Sequence, residues 1–146
     1  GKARGAPECK LMPTRRQGRE AALQALYAIA VGHREPGDAL TEMVGEGGET
    51  DYRAFVKDLV IGTLDHAQEA DLLLAPLLEG WTIERLPTID RLLLEMGTFE
   101  LCHRPLTPRA VVINEAVELA KRFSTEDSNR FVNGVLNAIA KETSEA

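Results

Sequence analysis

A chain of 146 residues is long enough for one domain with a hydrophobic core, and 44% apolar with 27% charged residues is typical of a globular protein. No apolar stretch approaches the roughly 20 residues that a membrane span requires, and no secretory signal pattern is present. The two cysteines, Cys9 and Cys102, show no metal-binding spacing. The sequence therefore predicts a cytoplasmic protein that does not contact a membrane.

Charge is divided unevenly along the chain, whose net charge is -6. Residues 1–34 hold seven Lys and Arg residues against two glutamates, a net charge of +5, whereas residues 35–146 carry -11. A basic end on an acidic body favours an anionic partner that contacts the end alone. A solubilising tail explains the same charges, so both interpretations stay open at this point.

The first predicted elements are a disordered tail over residues 1–13 and a basic helix. Met12 is a candidate natural start of the chain. The helix is predicted to begin at Thr14, which can form a capping box with Gln17, and to end at Gly32. Gly18 in its first turn favours a helix start that orders fully only when it is bound.

The arginines of this helix share a face with its apolar stripe. At about 100° per residue, Arg15 and Arg19 fall on nearly the same azimuth as Leu23 and Leu26. If that stripe packs on the core, the turns that carry the arginines are expected to overhang it.

The rest of the chain also shows helical periodicity, and no alternating strand pattern occurs. The sequence predicts an all-α domain of about seven helices over residues 14–142, followed by a C-terminal tail over residues 143–146. The next predicted elements are a short helix Asp38–Val44, a long helix from Tyr52, and a helical segment that contains Leu72–Leu74 and ends near Pro76. They are followed by a helix from Pro87 and a helix that Thr107 caps, with Pro108 in its first position. The last predicted helix has Val132, Val135, Leu136 and Ile139 on its inward face.

Catalytic motifs are absent from the sequence. His33, His66 and His103 belong to three different predicted elements and form no metal-ligand pair by spacing. Neither a nucleophile elbow nor a dinucleotide-binding glycine pattern occurs. The sequence therefore predicts that the chain is not an enzyme and that it binds no cofactor and no metal.

Two clusters favour nucleic-acid binding instead. Arginine suits phosphate contact and base stacking, which makes the arginine-rich helix start informative. A second cluster, Lys121, Arg122 and Arg130, accompanies Phe131, which lies at the rim of the last helix's apolar stripe and can stack on a base. Packing of Phe131 against a neighbouring helix fits the spacing better, and Tyr27 is open to the same two interpretations. The acidic body favours a short single strand over a duplex.

These residues carry a family resemblance. The segment RRQGREAALQALY, followed about a hundred residues later by INEAVELAKRFSTEDSNRFVNGVLNAI, resembles the NusB transcription antitermination factors of bacteria. The resemblance runs from about Thr14 to Lys141. It implies two packed helical bundles, binding of single-stranded boxA RNA from ribosomal RNA transcripts together with the ribosomal protein NusE, and entry into an RNA polymerase antitermination complex. It leaves both a monomer and a homodimer open.

The resemblance also implies site residues. It places RNA contacts on the arginine-rich start, on a tyrosine of the first helix and on the segment around the stacking aromatic. Tyr27 and Asp90 are expected at the partner surface, and the acidic body is expected to attract basic NusE. The implied RNA-binding residues are Arg15, Arg16, Arg19, Tyr27, Asp127, Arg130 and Phe131, and Lys121 of the second basic cluster is predicted to bind RNA as well.

Two other functions remain compatible with the sequence. A similar helical domain occurs at the N-terminus of some ribosomal RNA cytosine methyltransferases, where it serves as an RNA-docking module. A protein-interaction scaffold, in which the arginines only cap and solubilise the first helix, would bind no RNA selectively.

Overall fold

The computed structural model describes residues 13–46 and 50–144. Most of the predicted tail, residues 1–12, therefore lies outside the described residues. Within the described ranges the chain is all-helical, as predicted, and two 3-10 turns (Ala75–Leu77 and Ile83–Arg85) join the fourth and fifth helices. The helices are α1 (Arg15–Gly32), α2 (Pro36–Val44), α3 (Asp51–Asp65), α4 (Ala67–Leu74), α5 (Thr88–His103), α6 (Arg109–Phe123) and α7 (Ser128–Ser144).

The predicted capping box fixes the start of α1. The Thr14 hydroxyl accepts a hydrogen bond from the Gln17 backbone N–H at 3.0 Å, and the Gln17 side chain accepts one from the Thr14 N–H at 2.8 Å. Both bonds satisfy N–H groups that have no partner inside the helix. The helix ends at Gly32, and His33 follows it in the left-handed conformation at φ 56°.

The helices form two bundles, α1 to α3 and α5 to α7, which pack together through α5. Every residue from Leu92 to Leu101 is buried, because α5 receives α1 and α3 on one side and α6 and α7 on another. At Gly62 the backbone of α3 approaches the Phe99 ring so closely that a Cβ would lie 2.1 Å from it. Only glycine permits this contact between the bundles.

Several predicted boundaries differ from the observed ones by one or two residues. The second helix begins at Pro36 rather than Asp38, because proline in the first turn already has a helical φ and needs no donor. Pro108 occupies the cap position of α6 with ψ 138°, and Thr107 makes no capping bond. The last helix continues to Ser144.

The core is built from the apolar faces that the periodicity predicts. Val132, Val135, Leu136 and Ile139 of α7 are all buried. Among the described residues, no helix is both long and apolar enough to cross a membrane.

Candidate nucleic-acid interface

Arg16 joins the start of α1 to the middle of α6. Its Nε and Nη2 atoms each donate a hydrogen bond of 2.9 Å to the carboxylate of Glu115. The Arg16 side chain is 53% exposed, and within residues 13–46 and 50–144 its Nη1 atom donates no hydrogen bond. The ion pair lowers the pKa of Glu115 and raises that of Arg16, so both groups stay charged. Arg16 can therefore offer a second anion the free edge of its guanidinium.

Arg15 faces α3 instead. Its guanidinium carbon lies 4.2 Å from the centroid of the Phe55 ring, which is a cation–π arrangement. The same ring covers Gly18, where a Cβ would come within 2.7 Å of it. Close packing therefore requires a glycine at position 18 in a helix that is already formed. A helix start that orders only when it is bound is not needed to explain this glycine.

Arg19 does not overhang the core as predicted. It is buried, 3% exposed, and donates two hydrogen bonds of 2.9 and 2.7 Å to Glu100 of α5, which is 2% exposed. Periodicity gave the azimuth of Arg19 correctly. The prediction was wrong because periodicity could not show that a buried carboxylate lies at that position. Arg19 acts as a positioning residue for α1.

An aromatic groove lies between the later turns of α1 and the end of α6. Tyr27 is 42% exposed and lines an open groove of about 400 Å³ with Phe123, Ile89, Leu23 and Gln24. The groove offers two aromatic faces to a flat ligand.

Two cations flank this groove from the end of α6. The Arg122 guanidinium carbon lies 4.8 Å from the centroid of the Phe123 ring, and its Nη1 donates a 2.7 Å hydrogen bond to Glu20. Lys121 contacts Glu118 at 3.4 Å on the exposed face. The cations that the sequence predicted are present, although each has an acidic neighbour.

Asp90 is buried rather than exposed at a partner surface. Its carboxylate accepts hydrogen bonds from the hydroxyls of Ser124 at 2.5 Å and Ser128 at 2.9 Å, and the side chain is 4% exposed. It therefore holds the turn between α6 and α7 against the start of α5. With 4% of its side chain exposed, Asp90 offers little area for a direct contact, and its place at a partner surface stays a prediction.

Phe131 packs against the core and also lines a pocket beyond that turn. This pocket, of about 250 Å³, contains Trp81, Asp127 and Ser128 as well. Arg130 lies beside Phe131 and Trp81 along an adjoining groove. One part of its ring packs inward and another part faces the pocket, so the packing interpretation is confirmed and stacking of Phe131 on a base stays a prediction.

Trp81 is a candidate site residue that the sequence analysis did not identify. It is 55% exposed and belongs to the loop between α4 and α5, for which the sequence suggested only a connecting role. Its residue type is the signal that could have identified it. The single tryptophan of the chain follows Gly80 in a segment without helical periodicity. A large aromatic exposed in a loop is more informative than one on a helix.

The aromatic groove and the Phe131 pocket meet at the start of α5, and Arg16 lies on the same seam between α1 and α6 as Arg122. The aromatic groove reaches Ile89, the neighbouring Asp90 carries the α6–α7 turn, and Asp90 also lines the Phe131 pocket. The members of this surface, named here the basic–aromatic strip, are the exposed Arg16, Tyr27, Trp81, Lys121, Arg122, Phe123, Asp127 and Arg130 and the half-buried Phe131.

The fold and the strip define a class: a small all-helical protein with a surface suited to a flexible anion bearing aromatic rings. The sequence profile of the NusB family matches residues 16–141. Proteins named "Transcription antitermination protein NusB" from Geobacillus kaustophilus and Geobacter sulfurreducens are 45% and 44% identical to the chain. The aligned regions cover 86% and 88% of this chain and 94% and 95% of those proteins.

Solved structures give the same result. T. maritima NusB matches with a TM-score of 0.83 and 33% identity over 90% of this chain and 94% of that one. A structure of the antitermination factors NusB and NusE in complex with dsRNA contains a chain that matches with a TM-score of 0.78 and 30% identity, over 90% of this chain and 99% of that one. The chain belongs to the NusB family.

Proposed function

We propose that the chain is a transcription antitermination factor whose basic–aromatic strip binds a single-stranded RNA of the boxA type together with the ribosomal protein NusE. The observation that carries this proposal is the succession of Arg16 on α1, the aromatic groove beside the end of α6, and the Phe131 pocket at the start of α5. Arg16 and Tyr27 are about 17 Å apart along the helix axis, a length that suits a short segment of RNA. Relatives with the same fold are named for antitermination.

The cations of the strip would position the RNA backbone. Arg16 keeps its Nη1 edge available while Glu115 holds the other edge, so a phosphate can bind without breaking the ion pair. Because Glu115 and Glu20 offset part of the charge of Arg16 and Arg122, the electrostatic contribution is smaller than the sequence suggests. We expect few phosphate contacts and a shallow dependence on salt.

The aromatic side chains would bind the bases. Tyr27 and Phe123 border the first groove, and Trp81 and Phe131 border the second pocket. Stacking on an aromatic side chain contributes about 1 to 3 kcal/mol per base. Pockets of this kind accept bases that are not paired in a duplex, which favours a single strand. The similar NusB–NusE structure contains dsRNA, so strand form is one variable of the test.

The acidic remainder of the chain would attract NusE. Residues 35–146 carry a net charge of -11, and ribosomal proteins are basic. Opposite charges accelerate encounter and make it sensitive to salt. We place the contact near Tyr27, next to the RNA, so that one surface can bind both partners and bring them to RNA polymerase.

The same proposal covers activity and location. The relatives are named for a non-enzymatic role in transcription, and we propose that this chain has no catalytic activity and acts in the cytoplasm. A role as the RNA-docking module of a methyltransferase would instead require binding of a methyl donor, and a scaffold would show no selective RNA binding.

Fluorescence anisotropy tests the proposal. Labelled single-stranded boxA-like RNA, its scrambled counterpart and the corresponding duplex are titrated with the chain at two salt concentrations, with and without NusE. We expect selective binding of the single strand that NusE strengthens. Equal affinity for the scrambled RNA, or no effect of NusE, would contradict the proposal, and tighter binding of the duplex would overturn the choice of strand form.

A further inference from the structure

Two histidines and a glutamate come together at the end of α5 that is remote from the strip. Ring nitrogens of His66 and His103 and a carboxylate oxygen of Glu69 all lie within 4.8 Å of one another. His66 separates α3 from α4, Glu69 lies in the first turn of α4, and His103 ends α5. The sequence prediction that the histidines form no metal-ligand pair considered only their spacing along the chain, whereas the fold places these two rings side by side.

We propose that His66, Glu69 and His103 bind a divalent transition-metal ion of the zinc class. Two imidazoles and one carboxylate are a ligand set that Zn²⁺ accepts, with a fourth position left for water. Magnesium and calcium prefer sites made only of oxygen atoms, so the two imidazoles select against them.

The orientation of His66 supports this role. Its Nδ1 atom lies 2.9 Å from the carbonyl oxygen of Gly62, so Nδ1 carries the proton and donates to that carbonyl. The lone pair of the ring then resides on Nε2. A ring nitrogen that donates to a backbone carbonyl while the other binds the ion is the usual arrangement around metal-bound histidine.

The other two ligands are already in contact. The His103 Nε2 atom lies 2.7 Å from the Glu69 carboxylate, and the ring centroids of His66 and His103 are 4.0 Å apart. Ligand atoms around a tetrahedral zinc ion are about 3.3 Å apart, given bonds of about 2.0 to 2.1 Å. Side-chain movements on the order of 1 Å would therefore admit the ion. Both side chains are partly exposed, so movement and entry are unhindered.

The surroundings suit an added positive charge. Phe99 forms an apolar wall, with its ring centroid 5.4 Å from that of His66 and 5.8 Å from that of His103. Arg104, the nearest guanidinium along the chain, is ion-paired with Asp58, which offsets its repulsion of a metal ion. A bound ion would link the α3–α4 corner to the end of α5 and stabilise the joint between the bundles.

The test uses the full chain without an affinity tag. Isothermal titration calorimetry with ZnCl₂ and with MgCl₂ is combined with thermal unfolding in each salt. We expect one zinc site, no magnesium binding, and a rise in Tm of at least about 3 °C at saturating zinc. Absence of zinc binding, or equal binding of magnesium, would overturn the proposal.

Variants locate the site. His103→Gln and Glu69→Gln should each weaken zinc binding at least tenfold and remove the rise in Tm. His33→Asn, which replaces the remaining histidine with a residue that tolerates its left-handed backbone, should bind zinc as the wild type does. Zinc binding that survives His103→Gln, or that Cys102→Ser abolishes instead, would refute this ligand set. RNA binding should be unchanged in His103→Gln, because His103 lies about 20 Å along α5 from Asp90.

Discussion

Arg16 forms a structural ion pair with one edge of its guanidinium group and leaves the other edge available to a ligand. Its ion pair with Glu115 fixes the guanidinium on α6, and the free Nη1 atom points away from that contact. A side chain that is already held loses less conformational entropy when a ligand binds to it. Arg16 is therefore the cation of the strip that we expect to contribute most to binding.

Replacing Arg16 tests this expectation. We predict that Arg16→Ala weakens RNA binding about tenfold and reduces the slope of log affinity against log salt by about 0.7, the value for one phosphate contact on a single strand. Arg34, which pairs with Glu42 away from the strip, provides the matched control. Arg34→Ala should alter neither quantity. An unchanged slope in Arg16→Ala would remove Arg16 from the contacts.

The partner of Arg16 offers a second variant in the opposite direction. Glu115→Gln removes a negative charge beside the proposed phosphate position and keeps a hydrogen-bond acceptor for the guanidinium. It should therefore leave RNA binding intact or strengthen it. Weaker binding by Glu115→Gln would show that the orientation given by the ion pair matters more than its charge.

Phe131 presents one side to the core and another to the pocket it shares with Trp81. We predict that Phe131→Leu, which keeps an apolar side chain against the core, lowers RNA affinity about tenfold with no change in salt slope. Thermal unfolding checks that the fold is retained. If Phe131→Leu binds RNA normally and only Phe131→Ala is defective, the aromatic ring has a packing role alone.

At the scale of residues, the sequence predicted correctly the features that depend on neighbouring positions in the chain. Thr14 and Gln17 are three residues apart, so their capping box and the position of the arginines behind it were predictable. Arg19 was assigned to the surface because its partner Glu100 is 81 residues away. The same limit applies to Asp90, whose hydroxyl partners belong to another helix boundary.

At the scale of elements, the pair formed by Arg19 and Glu100 anchors α1 on α5. Both side chains are nearly inaccessible to solvent, and two hydrogen bonds join them. Burying the two charges is costly, and their value lies in the defined position that they impose while both are present. That position sets where Arg16, three residues earlier on α1, meets α6.

Removing one member of the buried pair should be more harmful than replacing both. We predict that Arg19→Ala destabilises the protein by about 3 to 5 kcal/mol, because Glu100 is left buried without its partner. The double variant Arg19→Met/Glu100→Met should recover most of that loss. Urea unfolding measures both. A loss below about 1 kcal/mol for Arg19→Ala would contradict the anchoring role.

Helix positions were predictable and their ends less so. The periodicity of α1 and α7 located both helices and their buried faces, including Val132 and Leu136. Pro108 was placed inside α6 from its residue type, yet its extended ψ leaves it at the cap position. Both arrangements are compatible with proline, so its residue type alone does not decide between them.

At the scale of the whole molecule, α5 carries the buried carboxyl groups of the described residues. Besides Glu100 it contributes Glu95. Burial and the neighbouring Asp71 raise the pKa of Glu95 to about 8, and Arg91 opposes this shift. Glu95 is thus largely protonated at neutral pH. A protonated carboxyl can donate to Asp71, whose Oδ1 has no other hydrogen-bond donor within the described residues.

This protonation makes folding stability depend on pH. The ordinary pKa of 4.5 applies in the unfolded chain, so between about pH 4.5 and 8 the folded protein holds a proton that the unfolded chain has lost. The contribution of Glu95 to the free energy of unfolding is complete below that window. It declines by up to about 1.4 kcal/mol per pH unit as the pH rises through the window.

Glu95→Gln tests the effect. We predict that this variant is more stable than the wild type at pH 8 and that its unfolding free energy is flatter between pH 5 and 8, as measured by urea unfolding across that range. Glu126→Gln, on an exposed side chain, should keep the wild-type profile. Parallel profiles for Glu95→Gln and the wild type would show that Glu95 titrates normally.

The fold class and the helical setting of the arginine-rich start were predictable, because helical periodicity and a cluster of arginines are properties of short segments. The proximity of His66 to His103, and the membership of Trp81 in the strip, were not. Each depends on how α4 and the loop after it lie against α5, and no local pattern encodes that packing.

Photocrosslinking tests the central claim, that the basic–aromatic strip binds RNA, most directly. A boxA-like single strand carrying 4-thiouridine is crosslinked to the chain in the presence of NusE, and the modified residues are identified by mass spectrometry. The account predicts crosslinks at Tyr27, Phe123, Phe131 and Trp81. Crosslinks confined to the groove that contains Phe55 and Arg104, on the α3 side of α1, would contradict it.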